Sequence, residues 1–167
     1  GRDSLATAVK NLRSRFAGGG RCNLARDFDG MSVARLITLA RAANATIATA
    51  ESCTGGMVAA AITAVPGASD VFDHSCVTYS NAAKVRMLDV MPVSIAQHGA
   101  VSAEVAREMA EGALKSGKAT LAVAITGVAG PGGTDQKPEG LVWFATAMAG
   151  AETQAEMQEF GAIGRAS

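Results

Sequence analysis

The run T-L-A-V-A-I at 120–125 constrains the fold most, because after its first residue it carries no polar side chain at all. A short apolar run without alternation is the pattern of a strand covered on both faces. L-V-W-F-A-T-A-M at 141–148 reads as a second central strand, and T-I-A-T-A at 46–50 as a short, part β-branched buried one. Between such runs lie segments with helical spacing, and strands alternating with helices predict an α/β layered domain with a mixed sheet. At 167 residues, 49% hydrophobic and 18% charged, the chain has enough length and apolar content for one domain with a real core.

The pattern from residue 32 onward predicts the elements in order. Ser32 caps a helix with Val33, Leu36, Ile37, Leu39, Ala40 and Ala43 on one face. Strand 46–50 is followed by a helix over 55–64 that stops before Pro66-Gly67. A strand at 75–79 precedes a short helix at 81–88, and 91–100 reads as a loop with Pro92 and Gly99. Ser102 caps a helix that turns Val105, Ala106, Met109, Ala110, Ala113 and Leu114 inward, with Glu104 near its positive end. After strand 120–125 comes a loop over 126–139 rich in Gly and Pro, then strand 141–148 and a polar edge strand at 153–160. Residues 1–30 differ in character and are expected to form an extension, flexible or added to the natural chain, before a domain at 31–167.

Composition excludes several function classes. Fifteen basic and fifteen acidic residues balance, so there is no electrostatic footprint for nucleic acid. Aromatics are only 4%, which disfavours a base-stacking surface. No run of about 18 apolar residues predicts a membrane span. Cys22, Cys53 and Cys76 have no metal-type spacing, so neither a metal nor a cofactor is expected. Their odd number points to a reducing compartment, hence a cytoplasmic protein. A small apolar domain with an exposed sheet edge is expected to form a homo-oligomer.

Ligands of open α/β sheets gather at the carboxyl ends of the strands. Three segments follow predicted strands there. The first, A-T-A-E-S-C-T-G-G at 48–56, puts Ser52 between a strand and a helix start. Three roles are open to that hydroxyl: a nucleophile, part of an anion cradle, or a helix cap. Cys53 beside it is open to two, a reactive thiol or a small core residue.

The second segment, V-T-Y-S-N-A-A-K at 77–84, supplies Tyr79, Ser80, Asn81 and Lys84. A nucleophilic serine needs a base, and a lysine serves when desolvation lowers its pKa. The bland alternative is an exposed tyrosine and a solvated lysine. With only His74 and His98 in the chain, both read as loop or packing residues, a Ser-His-Asp triad has few candidates. The third segment, T-G-V-A-G-P-G-G-T-D at 126–135, has four glycines whose N–H groups suit a nest for phosphate or an oxyanion. It is neither a Walker motif nor G-x-G-x-x-G. Asp135, Lys137 and Glu139 read as solvated loop charges.

Five blocks in this order resemble the CinA carboxy-terminal domain family: A-E-S-C-T-G-G, V-P-G-A-S at 65–69, Y-S-N-x-x-K at 79–84, H-G-A-V-S at 98–102 and T-G-V-A-G-P-G-G at 126–133. The resemblance runs from about residue 32 to 148. It implies a three-layer α/β/α sandwich with a mixed, mostly parallel sheet. It also implies a PncC-like amidohydrolase that deamidates nicotinamide mononucleotide, a small-molecule substrate, to nicotinic acid mononucleotide and ammonia. The family's nucleophile then falls on Ser52, with Tyr79 and Lys84 as its partners. Substrate contacts fall on Thr54, Gly55, Gly56, Asn81, Thr126, Gly127, Gly130, Gly132 and Gly133. The family's usual G-D-R-type segment and final helix have no clear match in F-G-A-I-G-R-A-S at 160–167, where Arg165 alone corresponds. A non-catalytic nucleotide-binding module of the same fold is the competing expectation, and a thiol enzyme using Cys53 a third.

Overall fold

The computed structural model describes residues 33–134 and 136–162. Expectations for 1–32, including the Ser32 cap, for Asp135 and for the last five residues lie outside the described residues.

The core of the molecule is one sheet of five strands. In chain order these are β1 (Ile47–Glu51), β2 (Phe72–Val77), β3 (Leu121–Gly127), β4 (Leu141–Met148) and β5 (Gln154–Glu159). Their order across the sheet is β2-β1-β3-β4-β5. The β2, β1 and β3 strands run parallel, while β4 and β5 add antiparallel. The helices are α1 (Val33–Ala42), α2 (Met57–Thr63), α3 (Asn81–Leu88), α4 (Pro92–His98) and α5 (Ala103–Ser116).

The L-A-V-A-I run shows how sequence builds the layers. Leu121, Val123 and Ile125 face one side, with Ile47 and Phe144, against Leu36, Ile37, Val58 and Ile62 of α1 and α2. Ala122 and Ala124 face the other side, with Ala48, Ala50, Ala145 and Ala147, against α5. Large side chains on one face and methyl groups on the other let α5 lie close to the sheet. Its Val105, Ala106, Met109, Ala110 and Ala113 are all fully buried. The expected α/β/α layering is the observed one.

α3 is seated on α5 by a glycine. A Cβ at Gly112 would lie 2.0 Å from the Leu88 carbonyl oxygen, so only glycine allows the end of α3 to cross there. Ser80 and Ser102 cap α3 and α5 by accepting from Ala83 and Val105 N–H.

Three expectations shift. The 91–100 segment contains a helix, α4, because Pro92 occupies its first turn, where a missing N–H costs nothing. The second helix starts at Met57 and not at residue 55, because Gly55 and Gly56 have φ of 58° and 102°. The second strand begins earlier than expected, at Phe72, and ends before Thr78.

Candidate active site

Because β1, β2 and β3 are parallel neighbours, their carboxyl ends open on the same edge. Glu51 pairs with Val77 on one side and Ile125 on the other. The next residues, Ser52, Thr78 and Thr126, therefore share one row. The Ser52 N–H donates to the Ile125 carbonyl at 2.9 Å, and the Thr78 N–H to the Glu51 carbonyl at 2.8 Å.

Lys84, in the first turns of α3, enters this row from the side. Its side chain is only 1% exposed. Nζ donates to Ser52 Oγ at 2.9 Å and to the Thr78 carbonyl at 2.8 Å. Burial lowers the Lys84 pKa below its ordinary value, and the nearby Cys53 thiol opposes this in smaller measure. The expected solvated alternative for Lys84 is therefore corrected: α3 packs on α5 and carries the lysine inward. Ser52 itself is buried, and the cap alternative is corrected as well. The N-cap of α2 is Gly56, with no side-chain cap.

The cap comes instead from Glu51, whose role the sequence reading missed. Its fully buried carboxylate accepts from the N–H groups of Gly56 at 3.0 Å, Val58 at 3.1 Å and Ala59 at 2.8 Å. Thr49 Oγ1 lies 3.5 Å from the same group and donates to Ser75 Oγ at 2.8 Å. The helix-start N–H groups expected to face a ligand thus face an internal anion. The Gly55 and Met57 N–H groups close turns onto Ser52 and Thr54. Among the described residues, the Thr54 N–H makes no hydrogen bond, and its buried hydroxyl has no partner. The fully buried Thr78 hydroxyl also has none. One signal was available: an acidic residue ending an otherwise apolar strand must meet donors.

Tyr79 follows Thr78 and is 58% exposed; Asn81, in the first turn of α3, is exposed too. Thr126 is buried, and its hydroxyl donates to the Ala100 carbonyl at 2.8 Å. Gly127 lies at the end of β3, where a Cβ would come within 2.8 Å of Val142. Beyond it the glycine loop folds around its own charges. The Gly132 N–H donates to Glu139 Oε2 at 2.6 Å, and a Cβ at Gly130 would strike the Glu139 side chain. A Cβ at Gly133 would lie 2.7 Å from the Lys137 carbonyl oxygen. Lys137 Nζ donates to the His98 carbonyl at 2.9 Å and to that of Val101. Lys137 and Glu139 are thus fasteners of the loop and not solvated charges.

The histidines lie elsewhere. At the amino end of β2, His74 sits between Asp73, at 3.0 Å, and Ser116, at 2.8 Å. Its ring, with the Lys118 N–H, holds the Asp73 carboxyl below the usual range. His98 ends α4 and is exposed. Cys53 packs against the larger apolar cluster. Among the described residues, no group of His, Cys, Asp or Glu has the arrangement to hold a metal ion, and no helix is long and apolar enough to cross a membrane.

The mixed five-stranded α/β fold is the one seen in CinA-superfamily structures. Residues 31–167 match the CinA C-terminal domain, and the chain belongs to that family. It is 55% identical over 113 residues to the Escherichia coli protein named nicotinamide-nucleotide amidohydrolase PncC, covering 67% of this chain and 68% of that one. It is 52% identical over 145 residues to a CinA-like protein of a Geobacter strain, covering 86% of this chain. The chain spans only 34% of that relative's length. Among solved structures it is similar to the competence/damage inducible protein CihA from Agrobacterium tumefaciens, with a TM-score of 0.77 and 44% identity over 80% of this chain and 81% of that one. A CinA superfamily protein from Escherichia coli gives 0.75 and 33% identity over 85% of both chains.

Proposed function

We propose that the chain is an amidohydrolase that deamidates nicotinamide mononucleotide, with Ser52 as nucleophile and Lys84 as general base. The observation that carries this reading is the 2.9 Å contact between the buried Lys84 Nζ and Ser52 Oγ. A buried amine with a lowered pKa releases its proton more readily, and neutral Nζ then accepts the serine proton. The 55% identity to the protein named nicotinamide-nucleotide amidohydrolase supports the choice of substrate.

The steps follow from these positions. Ser52 Oγ bonds to the amide carbon while its proton passes to Lys84 Nζ. The unclaimed Thr54 N–H is the candidate donor to the resulting oxyanion. The C–N bond then breaks, the amide nitrogen takes the proton held by Lys84, and ammonia leaves. Tyr79, the residue after Thr78, is the candidate to pass that proton, with the Thr78 carbonyl orienting Lys84. Water, deprotonated by Lys84, hydrolyses the ester and returns Ser52. Exposed Met57, Val77 and Tyr79 around these strand ends offer apolar surface to the pyridine ring.

The binding-module alternative depends on open phosphate cradles. Glu51 takes the Gly56 N–H and Glu139 the Gly132 N–H, which removes a donor from each of the two glycine loops and favours the reaction reading. Ammonia release from nicotinamide mononucleotide by wild type and Ser52→Ala tests it. Wild-type release with none from the variant is expected; equal rates remove Ser52 as nucleophile.

A further inference from the structure

Ser52 is held by its neighbour. A carboxylate taken fully out of water is costly unless donors meet its oxygens. Glu51 meets that need with main-chain N–H groups of Gly56, Val58 and Ala59. An ordinary helix cap is local, a short side chain at the N-cap reaching the next two or three residues. Here the N-cap is a glycine at φ 102°, and the acceptor comes from the end of β1. The bonds brace the strand to the first turn of α2 and close the 52–56 loop into a ring. Ser52 is the first residue of that ring.

The main chain of Glu51 reaches the base as well. Its carbonyl accepts from the Thr78 N–H, and the Thr78 carbonyl accepts from Lys84 Nζ. Nucleophile and base are both set from one residue, by its side chain on one side and its carbonyl on the other.

We propose that Glu51 is a positioning residue for the acylation step. Its carboxylate fixes the loop that sets Ser52 Oγ against Lys84 Nζ and leaves the Thr54 N–H unclaimed. This rests on the reading of Ser52 as nucleophile. It also commits the first N–H groups of α2 to an internal anion, so a substrate phosphate is bound elsewhere.

Two substitutions test it: Glu51→Gln keeps the shape and removes the charge, and Glu51→Asp keeps the charge and shortens the reach. Labelling of Ser52 by a fluorophosphonate reads the nucleophile without any assumption about substrate. Steady-state kinetics with nicotinamide mononucleotide and thermal melting complete the set. Wild type is expected to label at Ser52, and both variants to fold but label and turn over more slowly. An ångström-scale misplacement lowers kcat by about 100-fold, with KM changed less than about threefold. The pH midpoint of kcat/KM stays where it is, because Lys84 is untouched.

Wild-type labelling and kcat in the folded variants would overturn the proposal. So would loss of fold in both, which would make Glu51 a brace of the domain and not of the serine. Failure of wild type itself to label would remove the nucleophile, and this proposal with it. If wild type labels but leaves nicotinamide mononucleotide intact, only the substrate assignment fails, and the labelling rates decide for or against Glu51.

Discussion

Replacing Lys84 by methionine separates its chemical role from its structural one. The side chain is 1% exposed and donates to Ser52 Oγ and the Thr78 carbonyl. Methionine fills similar volume but leaves that carbonyl unpaired, at a cost of about 1–3 kcal/mol. Against this stands the burden of an amine buried away from water. Burial lowers the Lys84 pKa in the fold below its ordinary value of 10.5. The unfolded chain therefore binds the proton more tightly, and wild-type stability rises with pH between the folded and unfolded pKa values. Below the folded pKa the full penalty is present, and above the unfolded pKa it is gone. Lys84→Met lacks this dependence. It should be less stable than wild type at high pH by the carbonyl term alone, at roughly 2–4 °C per kcal/mol. The gap should close or reverse as pH falls. Deamidase activity should drop by about 10²–10⁴-fold, the usual contribution of a general base. Melting curves across pH and initial rates of ammonia release provide the assay. A gap that widens against the variant on acidification would refute the burial argument. Activity within about threefold of wild type would remove Lys84 as base.

Other outcomes follow from single contacts. Gly112→Ala places a Cβ 2.0 Å from the Leu88 oxygen and should cost about 1–3 kcal/mol in denaturant unfolding, as overpacked sites do; an unchanged midpoint would mean that α3 shifts without penalty. Wild-type kcat/KM should rise with pH through a midpoint below the ordinary lysine value, since the base must be neutral; a rate that falls over that range would contradict a lysine base. Glu139→Ala should unfasten the 128–134 loop and speed amide exchange at Gly132, whose N–H donates to that carboxylate at 2.6 Å; exchange at the wild-type rate would show that the bond does not hold the loop.

The layered fold was legible because its signals are local. L-A-V-A-I announces a strand covered twice, and α3 runs from Asn81 to Leu88 as its spacing predicts. Ser102 caps as its position suggests, whereas the Ser80 cap shows only in the fold. The three strand ends that converge were legible too, since parallel neighbours need only the alternation of elements. What the chain concealed depends on contacts between distant residues. The burial that a Lys84 base needs is supplied only when Gly112 lets α3 cross α5. Glu51 looks like one letter of a motif until α2 folds back over the end of β1. Pro92 looked like a breaker because proline is compatible with loops and helix starts alike. Glu139 and Lys137 take their partners from the loop and from the 98–101 turn, which no local spacing reveals.

The most direct test of Ser52 and Lys84 as a nucleophile and its base is chemical capture of the intermediate. Wild type mixed with nicotinamide mononucleotide, quenched in acid within the first turnovers and digested, should yield the Ser52 peptide carrying a nicotinoyl-nucleotide ester. Lys84→Met should form it far more slowly, and Ser52→Ala not at all. Steady ammonia release with the Ser52 peptide unmodified in wild type, or ester formed at the wild-type rate in Lys84→Met, would contradict the mechanism.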